Sequence, residues 1–168
     1  TRAAAAVDAR WVKALDMIAA CRGKLILTGM GKSGLVAQKI AATFSSTGTP
    51  ALFLDPGEAL HGGLGVVQKG DLILALGKSG ESDELNALLP ALRARKIALI
   101  AMTSNPRSTL AKAASLILEM PNETEACPLN LAPTTSTTVA MALGDALAVA
   151  LMKRRNFKAE HFAANHPG

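Results

Sequence analysis

The chain has 168 residues and a net charge of +5, from 18 Lys and Arg against 13 Asp and Glu. About half of the residues are hydrophobic and 3% are aromatic, which suits one domain with a sizeable core but no stacking platform for single-stranded nucleic acid. The two cysteines, Cys21 and Cys127, lie far apart in the sequence, which excludes a disulfide framework and suggests reduced thiols. We also expect no signal peptide and no membrane span. Together these expectations predict a cytoplasmic protein.

The predicted elements are helices that alternate with short, continuously apolar strands. In chain order they are a helix over residues 1–22, strand 24–28, helix 32–47, strand 51–54, a loop with one helical turn, strand 71–76, a helix ending near residue 95, strand 97–102, helix 108–113, strand 115–118, helix 134–155 and helix 159–164. This alternation predicts an α/β fold with three layers, in which helices flank a five-stranded parallel sheet. Ligands of such sheets bind at the carboxyl ends of the strands.

The long helix over residues 134–155 is composed almost entirely of Ala, Leu, Val and Met. A helix that is apolar on every side must be buried all round, so we predict that it forms a subunit interface. Lys153, Arg154 and Arg155 are interpreted as a charged helix C-terminus rather than as a nucleic-acid-binding patch.

Glycine loop 1, residues 29–34, reads Gly-Met-Gly-Lys-Ser-Gly and connects a strand to a helix. Its backbone amides, the helix dipole and the Lys32 charge predict an anion site. Ile26 occupies the position of the first P-loop glycine, so that motif fails. The dinucleotide fingerprint does match, and Asp55 lies where a ribose-binding acid would stand, which leaves a nicotinamide-dependent dehydrogenase as an alternative.

Glycine loop 2, residues 77–82, reads Gly-Lys-Ser-Gly-Glu-Ser and also connects a strand to a helix. A dinucleotide fold needs one such loop, whereas two hydroxyl-rich loops at neighbouring strand ends fit one phosphate monoester held from two sides. The alternative is that both loops are tight turns with helix N-caps and no ligand.

A run of five hydroxyl residues opens the long helix after Pro133. Thr134 alone could be its N-cap, and the other hydroxyls could equally donate to phosphate or sugar. The candidate ligands from the three segments are Gly31, Lys32, Ser33, Ser79, Gly80, Ser82, Thr134, Thr135 and Ser136.

These segments resemble the sugar isomerase (SIS) domain family, and within it the arabinose 5-phosphate isomerases. The resemblance covers residues 29–34, 45–50, 56–62, 79–82, 125–129 (Glu-Ala-Cys-Pro-Leu), 131–134, 144–150 and 166–168 (His-Pro-Gly). It departs at Gly77, where the family usually has Ser, followed here by Lys78, and at Gly63, where an acid is expected.

The resemblance implies a flavodoxin-like SIS fold over residues 1–168, without the pair of CBS modules that many members carry. It also implies interconversion of D-ribulose 5-phosphate and D-arabinose 5-phosphate for Kdo and lipopolysaccharide biosynthesis by a cytoplasmic homotetramer. We expect no organic cofactor, and no membrane or nucleic-acid partner.

Aldose–ketose isomerisation needs a base, a proton shuttle and a group that stabilises the enediolate. The resemblance and the loop position favour Glu125 as the base, and we expect partial burial to raise its pKa. The alternative is an exposed Glu like Glu123. The resemblance also favours His166, which could open the sugar ring or move protons, in its own site or in a neighbouring subunit's.

Three further residues are candidates for the same reaction. Lys32 could neutralise the enediolate or the phosphate. Glu81 could orient sugar hydroxyls or Lys32, or only compensate the helix dipole. His61 could hydrogen-bond the sugar or be a buried structural histidine. The spacing of His61, His166 and Cys127 does not support a metal site. Two other functions stay open, namely a SIS isomerase for another phosphosugar and a non-catalytic sugar-phosphate sensor.

Overall fold

The computed structural model describes residues 2–168, and the predicted helix start at Thr1 lies outside them. The helices are α1 (Arg2–Ala5), α2 (Ala9–Ala19), α3 (Gly31–Ser46), α4 (Pro56–Leu60), α5 (Asp83–Ala94), α6 (Thr109–Ala113), α7 (Thr135–Arg154) and α8 (Ala159–Asn165). The strands are β1 (Leu25–Gly29), β2 (Ala51–Phe53), β3 (Leu72–Leu76), β4 (Ala98–Thr103) and β5 (Leu116–Glu119).

All five strands form one parallel sheet in the order β2-β1-β3-β4-β5. Side chains such as Leu25 and Leu74 point to a core shared with α2, α3 and α7. Their strand neighbours, such as Ile26 and Ile73, point to a second core shared with α4, α5 and α6. The predicted three-layer α/β fold is confirmed, and the strand order places the switch point between β1 and β3.

The predicted N-terminal helix is interrupted, which corrects the single helix proposed for residues 1–22. Asp8 caps α2 by accepting a hydrogen bond from the Arg10 amide at 2.8 Å. The Trp11 indole donates to the Ala6 carbonyl at 3.0 Å and fixes the bend between α1 and α2. Aspartate is a strong N-cap residue, so the helix starts again there rather than running through.

The helix α7 packs closely on α3 through Gly144. A Cβ atom at Gly144 would overlap the Ile40 side chain, so the glycine permits the close approach of the two helices. Lys39 pairs with Asp145 across the same contact, and Arg154 pairs with Asp16 of α2 at 2.5 Å. The other side of α7 is exposed in the single chain, and Val149 is its most apolar exposed residue at 59%.

A buried carboxylate, Asp71, joins the amino ends of β1 and β3. It accepts hydrogen bonds from the Lys24 amide at 2.8 Å, the Lys24 ammonium at 2.7 Å and the Gln68 amide at 2.7 Å. Burial acts against ionisation of Asp71, but the Lys24 and Gln68 bonds outweigh it and hold the pKa of this carboxyl below its ordinary value. The ionised form therefore stabilises the fold.

We expect Asp71→Asn to lower stability in a pH-dependent way. At neutral pH the loss should be about 2 kcal/mol, because charged hydrogen bonds contribute about 1.5–3 kcal/mol. A carboxylate whose pKa is lower in the folded state stabilises the fold fully above its unfolded-state pKa of about 3.9. This contribution to stability is lost as pH falls through the folded-state pKa. The difference in melting temperature between the two proteins should therefore shrink below about pH 4. A difference that is constant with pH would contradict the account.

Candidate active site

Glycine loops 1 and 2 meet at the switch point, since β1 and β3 are adjacent and end at the same edge of the sheet. A cavity of about 950 Å³ lies between them. The residues that line it are Met30, Ser33, Leu76, Gly77, Lys78, Ser79, Ser82, Ser104, Asn105, Pro106, Arg107 and Asn122. The structure thus brings together Ser33, Ser79 and Ser82, as the paired-loop interpretation predicts.

The N-termini of α3 and α5 are open in this cavity. In the part of the chain that the structure describes, neither Met30 nor Ser82, the residues at the two N-cap positions, makes a side-chain capping hydrogen bond. The first amides of a helix carry a partial positive charge and attract anions. Two uncapped helix ends beside three serine hydroxyls suit a phosphate group better than they suit plain turns.

The dinucleotide alternative loses its support in the structure. Asp55 caps α4 by accepting from the Gly57 amide at 2.8 Å and the Glu58 amide at 3.1 Å. Gly29 and Gly34 of loop 1 serve close packing, since a Cβ at Gly34 would lie 2.5 Å from the Gly29 carbonyl oxygen, whereas Gly31 has open space around it and a φ of +55°. Two of the three fingerprint glycines are therefore explained by how α3 packs on β1.

Glu125 is buried at the N-terminus of α7. Its Oε2 accepts hydrogen bonds from the Thr134 amide at 2.8 Å and the Ser136 amide at 3.1 Å, and its Oε1 accepts from the Lys78 ammonium at 2.7 Å. The sequence-based expectation of a raised pKa is wrong. Burial does act in that direction, but the Lys78 bond and the α7 donors outweigh it and hold the pKa of Glu125 far below its ordinary value.

Lys78 is the partner that sequence reasoning missed. It was noted as a departure from the family pattern, but nothing in the sequence indicated that it reaches a residue 47 positions away. Arg107 was missed as well, and it adds a second cation to the wall of the large cavity. Its position in the loop after β4, at the carboxyl edge of the sheet, was the available signal.

A smaller cavity of about 190 Å³ adjoins the large one, with Met30, Ser33, Leu76, Gly77 and Lys78 common to both. Lys32, Pro133, Ser136 and Thr137 line its other side. Lys32 and Ser136 thus lie at the site. The Thr134 hydroxyl is already engaged, because it accepts from the Ala126 amide at 2.9 Å. Thr135 lines neither cavity.

Four predicted catalytic residues line neither cavity. Glu125 contacts Lys78 and Ser136, which do line them, and the other three make their contacts elsewhere. Glu81 accepts from the Thr109 amide at 2.9 Å at the start of α6, and Thr109 lowers the pKa of this carboxyl. His61 is exposed at the end of α4. His166 is exposed, and its ring stacks on Phe162 with the centroids 3.8 Å apart.

The segment between β5 and α7 is shaped by Cys127. Its sulfur accepts hydrogen bonds from the Leu131 amide at 3.1 Å and the Ala132 amide at 3.2 Å, and these donors lower the pKa of the thiol. Within residues 2–168, no three His, Cys, Asp or Glu side chains are grouped as metal ligands would be.

Gly80 provides a direct probe of loop 2. Its φ is +68°, and a Cβ there would lie 2.6 Å from the buried Ser108 Cβ. Since a left-handed conformation alone costs other residues about 1–2 kcal/mol, we expect Gly80→Ala to weaken binding of inorganic phosphate at least about tenfold and to lower the melting temperature. Isothermal titration with phosphate measures the first effect. Gly65→Ala is the matched control, because the space around Gly65 is open. Equal affinity in both variants would contradict the role of loop 2.

Known proteins are similar to this chain in sequence and in fold. The SIS domain model matches residues 17–150. The chain is 56% identical over 156 residues to arabinose 5-phosphate isomerase KdsD of Yersinia pestis, and this match covers 93% of this chain and 48% of the relative. It is 54% identical over 158 residues to the enzyme of the same name from Pseudomonas aeruginosa, and this match covers 94% of this chain and 48% of the relative. It spans about half the length of these curated relatives.

A solved structure agrees with them. A protein of Escherichia coli CFT073, described in complex with A5P, superposes with a TM-score of 0.93 at 41% identity, covering 95% of this chain and 85% of that one. The family resemblance found in the sequence is thereby confirmed, and the chain belongs to the SIS domain family.

Proposed function

We propose that the chain isomerises a five-carbon sugar phosphate, interconverting D-ribulose 5-phosphate and D-arabinose 5-phosphate. The observation that carries this proposal is the large cavity between two uncapped helix N-termini, lined by Ser33, Ser79 and Ser82. Such a site suits a phosphate dianion. The identity of 56% and 54% to curated arabinose 5-phosphate isomerases supports this substrate, and with it a role in Kdo supply.

The reaction needs one proton to leave C1 of the ketose and one to return at C2. We assign the removal to Glu125, whose carboxylate is ionised and lies directly behind Lys78 and Ser136. The C1 proton passes to the carboxylate, and the electron pair of the broken C–H bond forms the enediolate. Glu125 exchanges this proton with solvent and then protonates C2, and the aldehyde is left at C1 when the O1 proton has moved to O2. Lys32, beside Ser136 in the smaller cavity, would neutralise the enediolate or the phosphate.

We assign the oxygen-to-oxygen proton transfer to His166 of a neighbouring subunit. In its own chain, the α8 residue Asn165 donates to the Ser46 carbonyl at 3.1 Å, at the end of α3 opposite to loop 1. A helix of 16 residues is about 24 Å long, so His166 is far from its own cavity. Roles for Glu81 and His61 on the sugar stay predictions, and Glu81 would first have to leave the α6 cap.

Self-association fits the surface of α7. Of the described helices, α7 alone is long and apolar enough, by length and composition, to cross a membrane, and 39% of its apolar window is buried within the chain. One side already packs on α3, and the remaining apolar side, with Ala142, Ala146 and Val149, would be covered by a second copy. We propose a cytoplasmic homotetramer, with no membrane or nucleic-acid partner.

Activity on purified protein distinguishes this proposal from its alternatives. The protein is incubated with ribulose 5-phosphate, and in parallel with a hexulose 6-phosphate and a heptulose 7-phosphate, and the products are identified by NMR. We expect arabinose 5-phosphate from the first and little conversion of the others. Faster conversion of a longer sugar would indicate another SIS isomerase. Saturable binding of all three without conversion would indicate a sensor.

A further inference from the structure

Lys78 stands between the candidate base and the open cavity. Its carbonyl accepts from the Thr103 hydroxyl at 3.1 Å and the Ser104 amide at 3.0 Å, so the backbone is fixed. Its ammonium contacts Glu125 Oε1 at 2.7 Å and the Glu123 carbonyl at 3.3 Å. The side chain is nevertheless 35% exposed and lines both cavities. The same ammonium can therefore serve a buried carboxylate or a ligand in the cavity.

Glu125 is held as a poor base in this arrangement. Its side chain is 4% exposed, and both oxygens accept charged or amide donors. A carboxylate bonded in this way has little tendency to take a proton. Burial is the largest single influence on the pKa of Glu125 and acts to raise it, whereas the Lys78 bond lowers it. Loss of the Lys78 bond would therefore make the carboxylate more basic.

We propose that Lys78 is a phosphate-operated latch: in the free enzyme its ammonium holds Glu125, and the phosphate of the bound sugar draws the ammonium into the cavity and releases the base. This proposal rests on the proposed function, since it gives Glu125 the role of base. Lys78 is then a positioning residue. It makes proton abstraction depend on the presence of a phosphorylated substrate.

The charges around the pair favour this exchange. A phosphate monoester carries about −1.5 to −2 at neutral pH against −1 for the carboxylate, and it would lie at the ends of α3 and α5 in the same cavity that Lys78 lines. After the exchange, Glu125 keeps the Thr134 and Ser136 amides, so it stays in place. The flexible lysine stem allows the movement without a change of backbone.

The other charged groups near Glu125 have partners or lie across a cavity. Glu123, on the same loop, pairs with Arg2 at 2.9 Å. Cys127 accepts the Leu131 and Ala132 amides, and Lys32 faces Ser136 from the start of α3. The exchange at Glu125 therefore centres on Lys78.

A crystal structure of the wild-type chain with inorganic phosphate at neutral pH tests the latch directly. We expect phosphate on loops 1 and 2, Lys78 Nζ in hydrogen-bond contact with it, and a Lys78–Glu125 distance beyond the ion-pair limit of about 4 Å. Bound phosphate with the 2.7 Å contact intact would overturn the latch and leave the proposed function standing. Absence of phosphate from the loops would overturn both.

Kinetics give a readout that a merely structural lysine would not move. The pH dependence of kcat/KM reports groups of the free enzyme. We expect Lys78→Met to shift the acid limb of the kcat/KM profile to higher pH and to raise KM about tenfold. Lys78→Arg should bring the acid limb and KM part of the way back to the wild-type values. Lys69→Met, at an exposed position away from the site, is the matched control and should behave as wild type. A Lys78→Met profile that superimposes on the wild-type profile would overturn the proposal.

Discussion

Replacing Glu125 with Gln should abolish isomerisation of ribulose 5-phosphate while phosphate binding is retained. The amide cannot take a proton from C1, and a positioned base typically contributes about 10²–10⁴-fold, so kcat should fall by at least that factor. The Gln side-chain oxygen can still accept from the Thr134 and Ser136 amides, so we expect α7 to remain capped. Steady-state kinetics and isothermal titration with inorganic phosphate measure the two quantities.

Glu123→Gln is the matched control for this experiment. Glu123 lies two residues earlier in the same loop, but its carboxylate pairs with Arg2 of α1, and Lys78 bonds only its backbone carbonyl. We expect wild-type kcat in that variant. Full activity of Glu125→Gln would show that the base has been misassigned.

Mixing two inactive variants should restore activity if His166 acts in a neighbouring subunit's site. The variants are Glu125→Gln and His166→Asn, each of which damages every site of its own homo-oligomer. After denaturation and refolding together in equal amounts, about a quarter of the sites should combine an intact Glu125 with an intact His166 from another chain. The measurement is kcat per chain before and after mixing.

The control is a mixture of Glu125→Gln with Glu125→Ala, in which no combination of chains rebuilds the base. This mixture should stay inactive. If the first mixture also stays inactive although mixed oligomers form, then His166 does not complete a neighbour's site. The position of α8 beside Ser46 would in that case have no catalytic meaning.

Much of the fold was predictable because its signals are local. Runs such as residues 72–76 are apolar throughout and end in glycine loops, so the strands and the helices after them begin and end within a few residues of the prediction. The break between α1 and α2 was missed, although Asp8 is a good N-cap, because the alanines on both sides favour a continuous helix.

The site was predictable in its phosphate-binding part and less so in its chemistry. Loops 1 and 2 carry their own signals and meet because parallel strands end at one edge. The direction of the Glu125 pKa depends on Lys78 and on the amides of α7, which approach it only in the folded chain. Glu81 is likewise predicted to orient sugar hydroxyls or Lys32, and its bond to the Thr109 amide at the start of α6 is visible only in the fold. The sequence does not show which distant residues a charged side chain will contact in the folded chain.

Isomerisation through an enediolate is tested most directly by incubating the wild-type chain with ribulose 5-phosphate in deuterium oxide. The enediolate forms by proton removal at C1 and is reprotonated at C2 by a group that exchanges with solvent. We therefore expect arabinose 5-phosphate that carries deuterium at C2. NMR of the product locates the label. Conversion without deuterium at C2, or binding of the sugar phosphate without conversion, would contradict the account.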